Sequence, residues 1–251
     1  MRGNMLLSER HDKILLLTLN RPEKRNALHP DLVVEMLATL EAAATDDTLN
    51  VVIITGAGKA FCAGLDLEHT LGKTTQQGSK FGIVFDLFHR IYTLPQPVIA
   101  VINGPAIAGG FDLAQFCDLR LCAPNAVFSQ AEINLGLTQM MYPLYKTIGL
   151  ARAKEWAMTG AVIDADEAYR SGFVNHIHPN EALIGEAMKL ATTLAGKPRK
   201  ALFETKRLSR ELIEMNYDTA IERQLNAIRE RLQSDEHRQA LEAHKSKLKQ
   251  K

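Results

Sequence analysis

The sequence predicts an α/β fold followed by a helical lobe, and two observations support this. As far as about residue 195, short apolar segments typical of buried strands alternate with segments whose apolar residues have helical spacing. Beyond residue 195 the strand signals stop, while a period of about 3.6 residues continues. Strands that alternate with helices pair in parallel and are covered on both faces. We therefore expect an α/β body at residues 1–195 and a helical lobe at residues 196–251.

Local patterns justify the individual elements. Residues 30–44, for example, place Leu32, Met36 and Leu40 on one helical face, whereas short continuous apolar runs predict buried strands. A polar segment that contains glycine predicts a loop. In chain order the predicted elements are strand 13–19, helix 30–44, strand 50–55, loop 69–80, helix 83–92, strand 97–102, helix 109–116 and strand 118–123.

Composition excludes several classes of protein. Hydrophobic residues make up 46% and charged residues 24% of the chain, which is typical of a globular protein and excludes a disordered or collagen-like one. The formal net charge of +1 gives no overall attraction to nucleic acid or to an anionic membrane. No apolar run reaches the ~18 residues of a membrane span, and the start lacks the apolar core of a signal peptide. We expect a cytoplasmic protein that binds neither nucleic acid nor membrane.

Cysteine and histidine usage predicts neither disulfides nor a metal site. Cys62, Cys117 and Cys122 form no C-x-x-C motif. His176 and His178 alternate in a strand-like segment, but a metal would need further ligands that the sequence does not place. Cys62 has no evident basic partner to activate it as a nucleophile, so we expect it to pack. The chain also has no G-x-S-x-G motif, which leaves a serine hydrolase unsupported.

The first glycine cluster does not match a nucleotide motif. A P-loop would need glycine at position 53 and Ser or Thr at position 60, where the chain has Ile53 and Ala60. A dinucleotide fingerprint beginning at Gly56 would need a glycine where Phe61 stands.

The second glycine cluster is more informative about chemistry. Gly109 and Gly110 open a predicted helix, so their N–H groups are unpaired and can point at a developing negative charge. Asp112 follows one helical turn later on the same face. The alternative is an ordinary glycine-rich turn in which the helix dipole stabilises Asp112.

Two further segments complete a possible site. Residues 61–66 could supply a second N–H donor to an enolate oxygen. Glu132 lies among apolar residues in the segment 128–136, and burial there would raise its pKa towards a useful acid/base range. The alternative for Glu132 is a surface position on an alternating strand.

In combination these segments resemble the crotonase superfamily, the enoyl-CoA hydratase/isomerase family. The matching stretches, in family order, are residues 19–22 with 26–28, 54–56 through 61–67, 97–100 through 117–118, 128–136 and 161–174. The resemblance implies a crotonase-like spiral of ββα units with a helical C-terminal lobe. It also implies that this lobe assembles the chain into a homotrimer or homohexamer.

The resemblance further implies an acyl-CoA thioester substrate and no cofactor beyond the coenzyme A that this substrate carries. The backbone N–H groups of Ala63 and Gly109 would hold the thioester carbonyl. The residues implied to line coenzyme A are Arg25, Asn26, Ala27, Ala63, Gly64, Leu65, Asp66, Gly109 and Met140, with Lys24 and Arg25 as candidates for its phosphates.

Asp112 and Glu132 match the two glutamates of the family's hydratases. Asp112 is one methylene shorter than glutamate, and a misplacement of ~1 Å can cost about 100-fold in rate. An aspartate here also resembles the family's dienoyl-CoA isomerases, but their further aspartate is Met140 in this chain, which argues against that activity. Residues 137–145 depart from the family's usual proline and glycines, so we expect a reshaped acyl pocket.

The sequence therefore favours an enoyl-CoA hydratase that adds water in a syn manner through an enolate. Glu132 would activate the water and deliver its proton, Asp112 would help to hold it, and the N–H groups of Ala63 and Gly109 would stabilise the enolate. The alternatives are a double-bond isomerase, a decarboxylase or thioester hydrolase on the same scaffold, and a non-catalytic acyl-CoA-binding or RNA-associated protein.

Overall fold

The computed structural model describes residues 4–70 and 79–249, and a mainly parallel sheet organises them. Six strands pair in the order β1-β2-β3-β4-β6-β9, and three short strands form a second sheet in the order β5-β7-β8. The strands are β1 Leu6–His11, β2 Ile14–Leu19, β3 Val51–Gly56, β4 Val98–Ile102, β5 Ala106–Ile107, β6 Leu119–Cys122, β7 Val127–Ser129, β8 Ile163–Asp164 and β9 His176–Ile177.

Helices connect and cover these strands. They are α1 Pro30–Thr45, α2 Leu67–Thr70, α3 Ser79–Thr93, α4 Gly109–Gln115, α5 Leu144–Ile148, α6 Leu150–Thr159, α7 Ala165–Arg170, α8 Asn180–Ala195, α9 Arg199–Glu211, α10 Tyr217–Leu232 and α11 Asp235–Lys249. Short 3-10 helices lie at Pro22–Lys24, Ala131–Leu135 and Leu212–Glu214.

The large sheet is buried on both faces, as the sequence predicts. Its central strands β2, β3, β4 and β6 pair in parallel, which matches their continuous apolar sequences. One face packs against α1, α3 and α4. The other packs against the small residues of α8, which are Ala187, Ala191 and Ala195. The site described below lies where the chain leaves the carboxyl ends of β3 and β4.

Two element predictions need correction. The sequence does not predict strand β1, because only Leu6 of its six residues is buried and the rest expose polar or charged side chains or, at Leu7, an apolar one. It nevertheless pairs antiparallel with β2. The predicted loop 69–80 is helical at both ends, because α2 extends to Thr70 and α3 begins at Ser79. Its central positions 71–78 lie outside the described residues.

A buried lysine fixes the C-terminal helices to the body. Lys206 of α9 is 7% exposed, and its Nζ lies 2.6 Å from Asp118 Oδ2 and donates to the Gln96 carbonyl at 2.9 Å. Burial lowers the pKa of Lys206, and the Asp118 carboxylate opposes this effect. Farther along, α10 leaves Ile221, Leu225, Ile228 and Leu232 exposed. Within the described residues no helix is both long and apolar enough to span a membrane.

Candidate active site

Five of the predicted site residues line one cavity of about 260 Å³. They are Leu65, Gly109, Asp112, Glu132 and Met140. The cavity is completed by Val84, Phe85 and Phe88 of α3 together with Leu137 and Thr138. One part of this cavity is therefore polar and holds two carboxyl groups, while the wall formed by α3 is apolar.

Two segments in close contact, residues 61–66 and 104–110, form the backbone side of the cavity. Cys62 donates its N–H to Pro105 O at 3.2 Å and accepts from Ile107 N at 3.0 Å. A Cβ atom on Gly110 would lie 2.0 Å from Cys62 O, so only glycine fits there. Ala108 has the left-handed φ of 55° and donates to Ser129 O at 2.7 Å, immediately before α4 begins.

Gly64 and Gly109 face each other across the gap between these segments. Gly64 has a φ of +92°, and a Cβ atom on it would lie 3.0 Å from Gly109 N. A Cβ atom on Gly109 would come no closer than 3.5 Å to its neighbours and would lie 3.6 Å from Leu65 N. The protein therefore has room for a small group beside the N–H groups of Leu65 and Gly109.

The prediction that the Ala63 N–H holds the thioester carbonyl is wrong, because this N–H donates to the Arg25 carbonyl at 3.0 Å. Asp66 N likewise donates to Leu28 O at 3.3 Å. Among the described residues, neither Leu65 N nor Gly109 N has a hydrogen-bond acceptor, and both residues line the cavity. Two such N–H groups can together bind an oxygen atom that carries negative charge.

Asp112 lies on α4 and is 6% exposed. Gln115 Nε2 donates to its Oδ1 at 2.6 Å. Burial raises the pKa of Asp112 well above its usual value, and the charge of Glu132 adds to this effect. Hydrogen bonds from Gln130 and Gln115 oppose the rise because they stabilise the ionised form.

Glu132 lies in the 3-10 helix Ala131–Leu135, so the alternative of a strand position is wrong. Its side chain is half-buried, and burial raises its pKa. Two carboxyl groups that repel each other and are both partly desolvated favour a state in which one keeps its proton. This arrangement can accept a proton at one group and hold one at the other.

A second cavity of about 370 Å³ adjoins the backbone side of the site. It is lined by Arg25, Lys59 and Ala63, together with Pro22, Ala60, Pro105 and Ile107. Arg25 is exposed and has a left-handed φ of 50°. The sequence does not single out Lys59 as a binding residue. Lys59 lines the same cavity as Arg25 only because the turns 21–26 and 56–60 lie close together.

The structure places other predicted binding residues in structural roles. Asn26 is fully buried, accepts from Arg21 N at 3.0 Å and donates to Ala57 O and Ala60 O, so its side chain joins the two turns. Ala27 is half-buried, and its carbonyl accepts from Arg21 Nη1. Its neighbour Lys24 is exposed and reaches Glu68 at 3.5 Å.

Asp66 is buried and belongs to an ion-pair network. Arg21 Nη2 donates to Asp66 Oδ2 at 2.8 Å, and His69 Nδ1 lies 2.9 Å from Oδ1. Burial raises the pKa of Asp66, but the hydrogen bonds from His69 and Arg21 outweigh it, so the net pKa is lowered. Among the described residues, Asp66, Glu68 and His69 form the one group of three or more His, Cys, Asp or Glu side chains whose potential metal-ligand atoms all lie within 4.8 Å of one another. The bound Arg21 guanidinium opposes a cation there.

Cys62 does not have the properties of a nucleophile. It is buried, and burial raises the pKa of its thiol to about 12. His176 in the edge strand β9 and His178 just after it have ring centroids 5.9 Å apart, and neither residue lines the cavity.

Comparisons with known proteins agree with this geometry. The family model for enoyl-CoA hydratase/isomerase matches residues 9–251. The short-chain-enoyl-CoA hydratase of Clostridium acetobutylicum is 33% identical over 248 residues, which cover 97% of this chain and 95% of the relative. The crotonyl-CoA hydratase of Syntrophomonas wolfei is 34% identical over 221 residues, 86% of this chain and 85% of the relative.

Solved structures of enoyl-CoA hydratases also resemble this chain over nearly its whole length. The enoyl-CoA hydratase from Bacillus anthracis superposes with a TM-score of 0.94 at 30% identity and covers 97% of both chains. The enoyl-CoA hydratase from Mycobacterium smegmatis gives a TM-score of 0.92 at 29% identity, over 98% of this chain and 97% of the other. These superpositions confirm the predicted fold class.

Proposed function

The chain belongs to the enoyl-CoA hydratase/isomerase family, and on that premise we propose that it adds water to a 2-enoyl-CoA thioester. One observation carries the proposal. Two acidic residues with raised pKa values, Asp112 and Glu132, line the same cavity as the free N–H groups of Leu65 and Gly109. Hydration needs a positioned water, a group that takes its proton and donors for the enolate oxygen, and this cavity holds residues for each.

The mechanism follows from these roles. The N–H groups of Leu65 and Gly109 bind the thioester oxygen and stabilise the enolate that forms on it. Glu132 removes a proton from the water while the water oxygen bonds to the β-carbon. The same carboxyl then returns the proton to the α-carbon as the enolate collapses, so addition is syn. Asp112 accepts a hydrogen bond from the water and orients it.

The coenzyme A end of the substrate would lie in the second cavity. Arg25 and Lys59 supply positive charge for its phosphates, and Ala63 lines the same space. Gly64 and Leu65 connect this cavity to the acid/base pair. We place Asn26 behind the wall, because its side chain is fully buried.

A screen of CoA thioesters by product mass tests the proposed reaction. Hydration adds the mass of one water, whereas double-bond isomerisation leaves the mass unchanged. Because Met140 and the α3 phenylalanines shape the apolar wall, the panel includes straight-chain, branched and cyclic enoyl thioesters. A product with the substrate's mass would support the isomerase instead.

Isomerisation is the second candidate, and the environment of Asp112 is the observation that favours it. Asp112 is more buried than Glu132, and its pKa is raised by burial and by the charge of Glu132. If Asp112 keeps its proton throughout, Glu132 alone remains to move a proton, which suffices for isomerisation.

We also propose that the chain forms a homotrimer or a homohexamer through its helical lobe. The exposed residues Ile221, Leu225, Ile228 and Leu232 lie on one stripe of α10 and would be covered by another copy. Sedimentation that gives a monomer at micromolar concentration would contradict this. The cytoplasmic location and the absence of nucleic-acid and membrane partners stay predictions from composition.

A further inference from the structure

Three glutamine side chains surround the two acidic groups. Gln115 and Gln130 are 3% and 2% exposed. Gln115 Nε2 donates to Asp112 Oδ1 at 2.6 Å and lies 3.4 Å from the Met140 carbonyl. Gln130 Nε2 donates to the same carbonyl at 2.9 Å. The Met140 wall of the acyl cavity is therefore joined to Asp112 through buried amides.

Gln139 makes a similar contact with the second acid. Its amide fits its surroundings when the oxygen faces Ile133 N and the nitrogen faces Glu132. In that orientation Nε2 donates to Glu132 Oε2 at 3.0 Å. The reverse orientation would set an amide oxygen against a carboxyl oxygen. Gln139 is therefore a primary-amide partner of Glu132, as Gln115 is of Asp112, whose pKa a hydrogen bond from Gln130 also lowers.

We propose that Gln115 and Gln139 are positioning residues for the acid/base pair, with Gln115 holding Asp112 and Gln139 holding Glu132. This inference rests on the proposed hydratase function. Neither glutamine is among the residues that line the cavity, so both act through the carboxyl that they contact.

The geometry explains why each contact is needed. Asp112 has a short side chain, so its carboxyl group stays close to α4, where Gln115 one helical turn later can reach it. Glu132 is followed by the exposed residues 133–138, and the hydrogen bond from Gln139 restricts the rotation of its side chain. An amide donor also stabilises the ionised carboxylate, so it opposes the effect of burial on both groups.

The test compares Gln139→Leu and Gln115→Met with Gln96→Leu. Gln96 is a matched control, because it is fully buried and its amide donates to the backbone carbonyls of Ala43 and Leu49 rather than to a carboxyl group. Each variant is titrated by carboxyl-carbon NMR, and kcat and KM are measured across pH on a thioester that the wild type hydrates.

We expect Gln139→Leu to raise the pKa of Glu132 and Gln115→Met to raise that of Asp112. The acid limb of the kcat profile should then move to higher pH. We also expect kcat to fall roughly tenfold because the carboxyl is misplaced, with KM within about twofold of the wild type. Gln96→Leu should lower only the free energy of unfolding.

The proposal is wrong if both site variants behave like Gln96→Leu, with unmoved carboxyl titrations and an unchanged kcat profile. The NMR titration does not depend on turnover. If the wild type hydrates no thioester, the proposed function fails, while a shifted titration of Glu132 or Asp112 would still support the positioning roles.

Discussion

The two walls of the catalytic cavity are built on different principles. One wall, residues 61–66 with 104–110, presents backbone N–H groups, and its close packing admits only glycine at position 110, where an added Cβ would lie 2.0 Å from Cys62 O. The other wall, Asp112 with residues 132–140, presents side chains, and its two carboxyl groups accept hydrogen bonds from glutamine amides. The first wall therefore constrains the backbone tightly, whereas the second supplies the acid/base groups and part of the apolar surface of the cavity.

The largest expected effect comes from filling the gap in the backbone wall. In Gly109→Ala the added Cβ fits the fold but lies 3.6 Å from Leu65 N, in the space that the thioester oxygen needs. Turnover should fall on the order of 100–1,000-fold, as when an oxyanion donor is lost. Steady-state kinetics with a melting curve on the same sample checks this.

Gly185→Ala is the matched control for that substitution. Gly185 lies in α8 with no atom near its Cβ position, so the change should leave turnover intact and stabilise the helix by about 1 kcal/mol. Near-normal turnover of a folded Gly109→Ala enzyme would show that the backbone wall does not bind the oxygen.

Substitutions in the side-chain wall should have the next largest effect and should separate its two acids. Glu132→Gln removes the titrating group and keeps its shape, so turnover should fall about 100-fold or more. Asp112→Asn removes an acceptor for the water and should cost on the order of 10–100-fold. Product mass is measured for both variants. An intact rate in Asp112→Asn, together with a product of unchanged mass, would favour isomerisation.

The backbone wall is the more predictable of the two, but only in part. Gly109 can be identified from sequence because a glycine that opens a helix has a free N–H group whatever surrounds it. The prediction of Ala63 is wrong, because the left-handed φ of Gly64 and the bond from Ala63 N to Arg25 O leave Leu65 as the free donor. Neither feature can be read from a local pattern.

The side-chain wall shows a different limit. The sequence identifies Glu132 and the unusual Met140 region, and the spacing of Asp112 and Gln115 already places them on one helical face. Gln139 cannot be assigned from sequence, because its contact with Glu132 depends on the path of an irregular segment. The basic residue Lys59 is missed for the same reason, since two turns must meet before it joins Arg25.

Asp112→Asn should also change how stability depends on pH. Burial raises the folded-state pKa of Asp112, so between the unfolded and folded pKa values the folded chain binds more protons. The free energy of unfolding therefore falls as pH rises through that window. Asparagine stays neutral at every pH, and its side-chain oxygen can still accept the hydrogen bond from Gln115. The free energy of unfolding of the variant should therefore exceed that of the wild type at neutral pH and match it at acidic pH.

Thermal unfolding across pH measures this difference. Each kcal/mol gained should raise Tm by roughly 2–4 °C in a domain of this size. An equal or lower Tm for Asp112→Asn at neutral pH would mean that the buried carboxyl imposes no cost on the fold. The side-chain wall would then carry no trade-off between stability and activity.

The smallest effect should come from relieving strain in the backbone wall. Ala108 adopts φ 55° and ψ −127°, a region that glycine enters far more easily than alanine. Replacing Ala108 with glycine should relieve about 1–3 kcal/mol of backbone strain in the folded state. The greater flexibility of glycine in the unfolded chain should cost about 0.5–1 kcal/mol, so we expect Ala108→Gly to be about 1 kcal/mol more stable than the wild type. Because Ala108 N still donates to Ser129 O, the Gly109 N–H should keep its direction and turnover should stay near that of the wild type. Chemical denaturation measures the gain, and a stabilised variant with a large loss of turnover would show that the Ala108 side chain itself aligns the wall.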